Sequence, residues 1–188
     1  MWKVYGLGQR GAAKELIYTQ WKQYDTAPEG DVFYGLDFGY VHPAALIKVT
    51  HHEGENYFEE IIYQSGLTLS DLTRLIKEKV PERATIYADA AEPKSIAELK
   101  TYGHQVLPCT KGKDSIVYGI NLINQNKIFV TRSSKNLIKE LQSYTWMKDR
   151  EGNTVNKPID AFNHCIDAAR YAISSQLKNP NAGKYFIR

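Results

Sequence analysis

A chain of 188 residues, 43% of them apolar and 24% charged, suffices for one hydrophobic core and is too apolar for a disordered segment. Lys and Arg number 24 against 21 Asp and Glu; the formal charge of +3 permits a nucleic-acid partner without implying one. Cys109 and Cys165 lie far apart in no zinc-type spacing and read as reduced, buried thiols. No apolar run reaches the roughly 18 residues of a membrane span, and residues 1–11 lack the pattern of a secretory leader, so a cytosolic protein is expected.

Residues 1–30 read as a lead-in, broken by Gly6, Gly8 and Gly11 and closed by the turn Pro28-Glu29-Gly30. The runs 32–37, 44–50 and 57–63 are rich in strand-forming residues, and their short connections predict an antiparallel meander. Thr68 and Asp71 are spaced as a capping box, with Asp in place of the usual Glu, ahead of the helical stripe Leu69, Leu72, Leu75 and Ile76. A strand at 85–89 precedes a helix at 93–101, which opens on Pro93 and stops at Gly103. A strand at 105–108, a helix at 115–124, an extended segment at 127–130 and a helix at 134–143 follow. Residues 144–157 read as a hairpin turning at Asp149-Arg150-Glu151-Gly152-Asn153. The last helix is expected at 160–177 with Asp160 as its N-cap and Phe162 on its inward side, and a polar tail covers 179–188. The fold class is therefore α/β. A central mixed sheet of five or more strands, three antiparallel and then parallel, is flanked by helices and accompanied by a β-hairpin.

The chemistry concentrates in acids. Asp37 and Asp89 each end an apolar strand. Parallel neighbours would present both at one carboxyl edge, where open α/β sheets place ligands. Two carboxylates held close repel each other, and a divalent cation is a natural reason to assemble them. On the last helix His164 and Asp167, three apart, share a face that continues to Tyr171 and would add a third acid. Such a centre suits two ions about 3.5–4 Å apart for in-line displacement at phosphorus. Each residue also has a plainer reading: Asp37 and Asp89 as turn or cap residues and Asp167 as the partner of Arg170, while Glu92 reads equally as a metal ligand or as a first-turn acid.

Leu36-Asp37-Phe38-Gly39, Ala88-Asp89-Ala90-Ala91-Glu92-Pro93, and the run from Asp160 through His164 and Asp167 to Tyr171 are similar, in this order, to the three signature segments of bacteriophage large-terminase nuclease domains. The likeness is to the headful-packaging terminases of Bacillus phages and extends from about Val4 to Leu177. It implies a ribonuclease H-like nuclease domain over 31–178, preceded by a 1–30 linker from an ATPase motor domain. It makes Asp37, Asp89 and Asp167 the metal-binding acids of catalysis, with His164 as a ligand or close supporter. It implies Mg²⁺ or Mn²⁺, cleavage of concatemeric double-stranded DNA during genome packaging in the host cytoplasm, and the motor domain, small terminase subunit and capsid portal as partners. No Gly-rich loop ending in Gly-Lys-Ser or Gly-Lys-Thr occurs, so no ATP site is expected within the chain.

Lys111 and Lys113, then Arg132 and Lys135, then Lys148, Arg150 and Lys157 are candidates for phosphate contacts. Their plainer reading is a solubilising surface. Rival functions are a Holliday-junction resolvase or integrase-like nuclease, and a non-catalytic DNA-binding assembly module on the same fold.

Overall fold

The computed structural model describes residues 15–112 and 114–178. Among the described residues nine strands are present: β1 (Trp21–Tyr24), β2 (Asp31–Asp37), β3 (Ala44–His52), β4 (Glu55–Gln64), β5 (Thr85–Ala88), β6 (Gln105–Pro108), β7 (Lys127–Thr131), β8 (Trp146–Lys148) and β9 (Thr154–Pro158). Five helices accompany them there: α1 (Leu69–Lys79), α2 (Pro93–Thr101), α3 (Ser115–Asn124), α4 (Lys135–Ser143) and α5 (His164–Lys178). Seven strands form one sheet in the order β1-β7-β4-β3-β2-β5-β6, and β8-β9 form a separate hairpin. The expected meander is β2-β3-β4, with β3 antiparallel to both neighbours, while β5, β6 and β7 join in parallel pairings.

The period-2 alternation of the strands sorts side chains into two cores. Phe33, Ala45, Ile47, Val49 and Phe58 meet α3, α4 and α5 through Ile120, Leu137, Leu141, Ala168 and Ala172. Tyr34, Leu36, Ala44, Leu46 and Ile86 meet α1 and α2 through Leu72, Ile76, Ile96 and Leu99. The result is three layers, helices on both faces of one mixed sheet. Thr68 and Asp71 form the expected box: Thr68 Oγ1 accepts from the Asp71 amide at 3.1 Å, and Asp71 Oδ2 accepts from the Thr68 amide at 3.2 Å.

Two expectations fail locally. No strand was expected before Asp31, yet β1 pairs in parallel with β7 and extends the sheet. Four residues with both ends half-buried and exposed centres carry little pattern, and their partner lies more than 100 residues away. The last helix starts at His164 rather than 160, so Asp160 is not its N-cap. Phe162 has φ of +52°, which breaks a right-handed helix, and the residue is 72% exposed instead of facing the core. The expected features of residues 1–14 and the tail at 179–188 lie outside the described residues, and among those described no helix is long and apolar enough to cross a membrane.

Candidate active site

β2 and β5 run parallel with Leu36 level with Ala88, so the next residue on each chain, Asp37 and Asp89, leaves the sheet at the same edge. The Asp89 amide donates to the Leu36 carbonyl at 3.2 Å, tying the two exits together. α5 reaches this edge because it lies almost on the backbone of β2. A Cβ on Gly35 would run into the Ala168 carbonyl oxygen, so only glycine permits the approach. The small Ala168 and Ala172 complete the contact. That packing delivers His164 and Asp167, on one helical face, to the two strand ends.

His164 Nδ1 and Asp37 Oδ2 are 2.9 Å apart. His42, from the turn after β2, stacks on His164 with ring centroids 5.6 Å apart. Asp167 accepts from Arg170 Nη2 at 2.8 Å and from Asn163 Nδ2 at 3.2 Å. Asp89 Oδ1 accepts from the Ala91 amide at 2.8 Å and pairs with the Lys111 ammonium, while the Tyr171 hydroxyl donates to its Oδ2 at 3.4 Å. Lys111 also lies over the Tyr171 ring.

The three acids sense one another electrostatically. Burial pushes the Asp37 carboxyl up; the His164 hydrogen bond opposes this, and the charges of Asp167 and Asp89 add to it. Burial likewise raises Asp167, against the nearby Arg170 guanidinium. The hydrogen bond to Asp37 raises His164, against burial. Burial raises Tyr171, and the charges of Asp167, Asp37 and Asp89 all push it the same way, so one phenol senses the whole set. Arg170 is itself 6% exposed, and its stem crosses Gly119, where a Cβ would collide with Arg170 Cγ.

Carboxylate oxygens and one imidazole suit a hard divalent ion by chemistry. Among the described residues, however, no three His, Cys, Asp or Glu side chains stand close enough to hold an ion as they are posed. Coulombic coupling reaches farther than a ligand shell, which reconciles the two observations. Each acid is turned to an internal partner, Lys111 for Asp89, Arg170 for Asp167 and His164 for Asp37. The plainer reading of Asp167 as the partner of Arg170 therefore holds together with its place at the site.

The basic candidates do not gather here as a group. Lys111 reaches the site, though as the partner of Asp89 rather than as a free phosphate contact, and Lys113 lies outside the described residues. Arg132 pairs with Asp25 at 2.8 Å and touches Gln23. It follows β7, whose last pair with β4 is Phe58 with Val130, five residues short of Tyr63, which lies level with Asp37 through Ala45. Lys135 is exposed at the start of α4, Lys148 pairs with Glu15 at 2.6 Å, and Arg150 and Lys157 are exposed on the hairpin. His42 and Asn163 were missed as site-shaping groups, whereas Arg170, three residues after Asp167, was readable as its partner.

A seven-stranded mixed sheet, helices on both faces and acids at the carboxyl ends of β2 and β5 together with the start of a terminal helix define a ribonuclease H-like protein. The sequence profile of the terminase RNase H-like domain matches residues 37–175, and the chain belongs to that family. It is 28% identical over 151 residues to the terminase large subunit of Bacillus phage SPP1, a match covering 77% of this chain and 36% of that protein. It is 27% identical over 143 residues to the PBSX phage terminase large subunit of Bacillus subtilis strain 168, covering 74% and 33%. The chain thus spans about a third of the length of these relatives. The crystal structure of the SPP1 large-terminase nuclease domain with bound Mn superimposes with a TM-score of 0.74 at 22% identity, covering 87% of this chain and 99% of that one. A large terminase from a thermophilic bacteriophage, in complex with ATP-gamma-S, gives 0.69 at 22%, covering 87% and 46%. The nuclease of another thermophilic phage, G20c, with bound cobalt gives 0.59 at 16%, covering 85% and 97%. These likenesses carry the fold.

Proposed function

We propose that this chain is a divalent-metal-dependent DNA endonuclease domain that cuts concatemeric double-stranded viral DNA during genome packaging in the host cytoplasm. The observation that carries this is geometric: Asp37 and Asp89 leave the parallel strands β2 and β5 at one sheet edge, and α5 brings His164 to within 2.9 Å of Asp37, with Asp167 one turn further on. Membership of the terminase family and the Mn and cobalt bound in related nuclease domains support it. Asp37, Asp89 and Asp167, with His164 beside them, would hold Mg²⁺ or Mn²⁺. Such ions, two in the proposed mechanism, would lower the pKa of the attacking water and stabilise the leaving oxygen. His164, hydrogen-bonded to Asp37, fixes that carboxylate and stands ready to carry a proton at its other ring nitrogen. Arg170 and Asn163 orient Asp167 from either side. Lys111 balances Asp89 and, of the basic candidates among the described residues, is the one at the acidic edge, where releasing Asp89 to an ion would free it for a phosphate. An ATPase motor domain, the small terminase subunit and the portal are the proposed partners; the longer thermophilic-phage terminase, crystallised with ATP-gamma-S, supports the first.

One observation favours a second reading, a binding module that cuts only with a partner: Lys111 and Arg170 already neutralise two of the acids. Linear duplex and four-way-junction DNA, each incubated with Mn²⁺ or with chelator, separate the possibilities. Metal-dependent, sequence-independent duplex cutting is expected. A strong preference for the junction would transfer the chain to the resolvases, and binding without cutting would favour the partner-activated module.

A further inference from the structure

The first turn of α5 carries the site, and a side chain from another helix reaches one of its amides. A helix start leaves four amides without intrahelical partners, and Asp160, the expected cap, lies before the break at Phe162. Glu140 reaches across from α4. Its Oε2 accepts from the Ile166 amide at 3.0 Å, and the side chain, 2% exposed, is buried beneath the helix start. Its buried Oε1 meets no hydrogen bond of good geometry, but the Cys165 amide and the Tyr63 hydroxyl lie close enough to the carboxylate to bear on its titration. A buried carboxylate is costly unless it is used. Here the start of α5 gives it a use.

α4 is itself held by a carboxylate. Ser134, at its N-cap position, makes no side-chain cap; Glu60 on β4 instead accepts from the Asn136 and Leu137 amides, both at 2.9 Å, and from Asn136 Nδ2 at 2.7 Å. The Ser134 hydroxyl accepts in turn from the Glu60 amide at 2.8 Å. Strand β4 thus fixes α4 through Glu60, and α4 fixes the start of α5 through Glu140.

We infer that Glu140 is a positioning residue: it caps the site helix from a neighbouring helix and so sets where His164 and Asp167 stand relative to Asp37 and Asp89. Its bond is to the helix backbone and to none of the three acids. A carboxylate at a helix N-terminus is favoured by the helix dipole, and supporting groups of this kind govern how well the ligands themselves are posed.

The test uses the full chain free of metal and DNA, with Glu140→Met, which keeps the size and removes the acceptors, and Glu140→Gln, which keeps one acceptor. Amide hydrogen exchange at Cys165 and Ile166 is expected to quicken about tenfold or more in Glu140→Met, with the β3 amides unchanged, and to stay within about threefold of wild type in Glu140→Gln. Unchanged exchange at both amides in folded Glu140→Met overturns the inference. Should that variant not fold, Glu140→Gln decides by NMR at about pH 8.5, where the wild-type carboxylate is ionised: the Ile166 amide proton, now bonded to a neutral oxygen, moves upfield while amides of β3 stay in place, and an unmoved Ile166 signal overturns it. Mn²⁺ affinity, which rests on the nuclease reading, is expected to fall about tenfold in Glu140→Met and to be restored in Glu140→Gln. A wild-type chain that neither binds Mn²⁺ nor cuts DNA would defeat that reading and leave the exchange data to judge Glu140.

Discussion

Asp37 and Asp89 differ in environment although both end a strand. Asp37 is 9% exposed and held by His164, whereas Asp89 faces Lys111 and Tyr171 nearer the surface. Replacing Asp37 by Asn keeps the shape and a hydrogen bond to His164 but removes a charge from the proposed ligand set. Cleavage is expected to fall by about 10³-fold, several kcal/mol of transition-state stabilisation; a plasmid assay on the folded variant showing near-wild-type rates would remove Asp37 from the chemistry. Lys111→Met tests the internal partner. If the ammonium competes with a cation for Asp89, the variant binds Mn²⁺ several-fold more tightly by titration calorimetry, and weaker binding would mean that Lys111 supports the site instead. Both strand-end acids were legible, because an apolar run that stops at Asp reads directly from sequence. His42 and Glu140 were not: their partners lie 122 and 26 residues along the chain, and only the folded packing brings them together.

Among the elements, the pairing of β2 with α5 decides whether there is a site. Gly35 is the point of closest approach, and Gly35→Ala would drive a methyl into the Ala168 carbonyl. Urea denaturation is expected to show a loss of at least about 1–3 kcal/mol, and unchanged stability would mean that the helix can slide away without cost. The hairpin is a separate device. Asp149 Oδ1 accepts from the Glu151 and Asn153 amides and so builds the turn, and the Ile159 amide bonds Thr145 at the hairpin root, five residues ahead of His164. Shortening the 149–153 turn is expected to change duplex cleavage kinetics while Mn²⁺ affinity stays within about twofold; identical kinetics in a folded variant would deny the hairpin a part in DNA access. The meander, the capping box of α1 and the Pro93 start of α2 were readable from local pattern and turn chemistry. The start of α5 was not, since a left-handed Phe162 is a tertiary outcome that no propensity announces.

At the scale of the molecule, the buried acids near the site, with His164, make stability fall as pH rises, whereas His104, lowered by burial, acts the other way. Burial lifts Glu140 from 4.5 to about 7, so in that window the folded state holds a proton that the unfolded chain has released. Its contribution is complete below about pH 4.5 and is lost as pH rises through about 7, on the order of 3 kcal/mol. Asp37 and Asp167, also raised by burial, and His164, raised by its bond to Asp37, act with the same sign in the metal-free protein. Metal-free stability is therefore expected to fall between about pH 5 and pH 8 in urea titrations, and Glu140→Gln should flatten the slope; an equal slope in the variant would deny Glu140 its raised pKa. The mixed sheet between helical layers was legible from the order of elements, since crossover helices force parallel strands. Its full width was not, because β1 joins through β7, a neighbour set by topology rather than by sequence. Whether the acidic edge cuts DNA with a divalent ion is decided by one assay: nicking or linearisation of supercoiled plasmid in Mn²⁺, Mg²⁺ and chelator, beside a folded Asp89→Asn variant. Cutting should require the ion and disappear in the variant; no cutting with either ion, or equal cutting by Asp89→Asn, would overturn the proposed function.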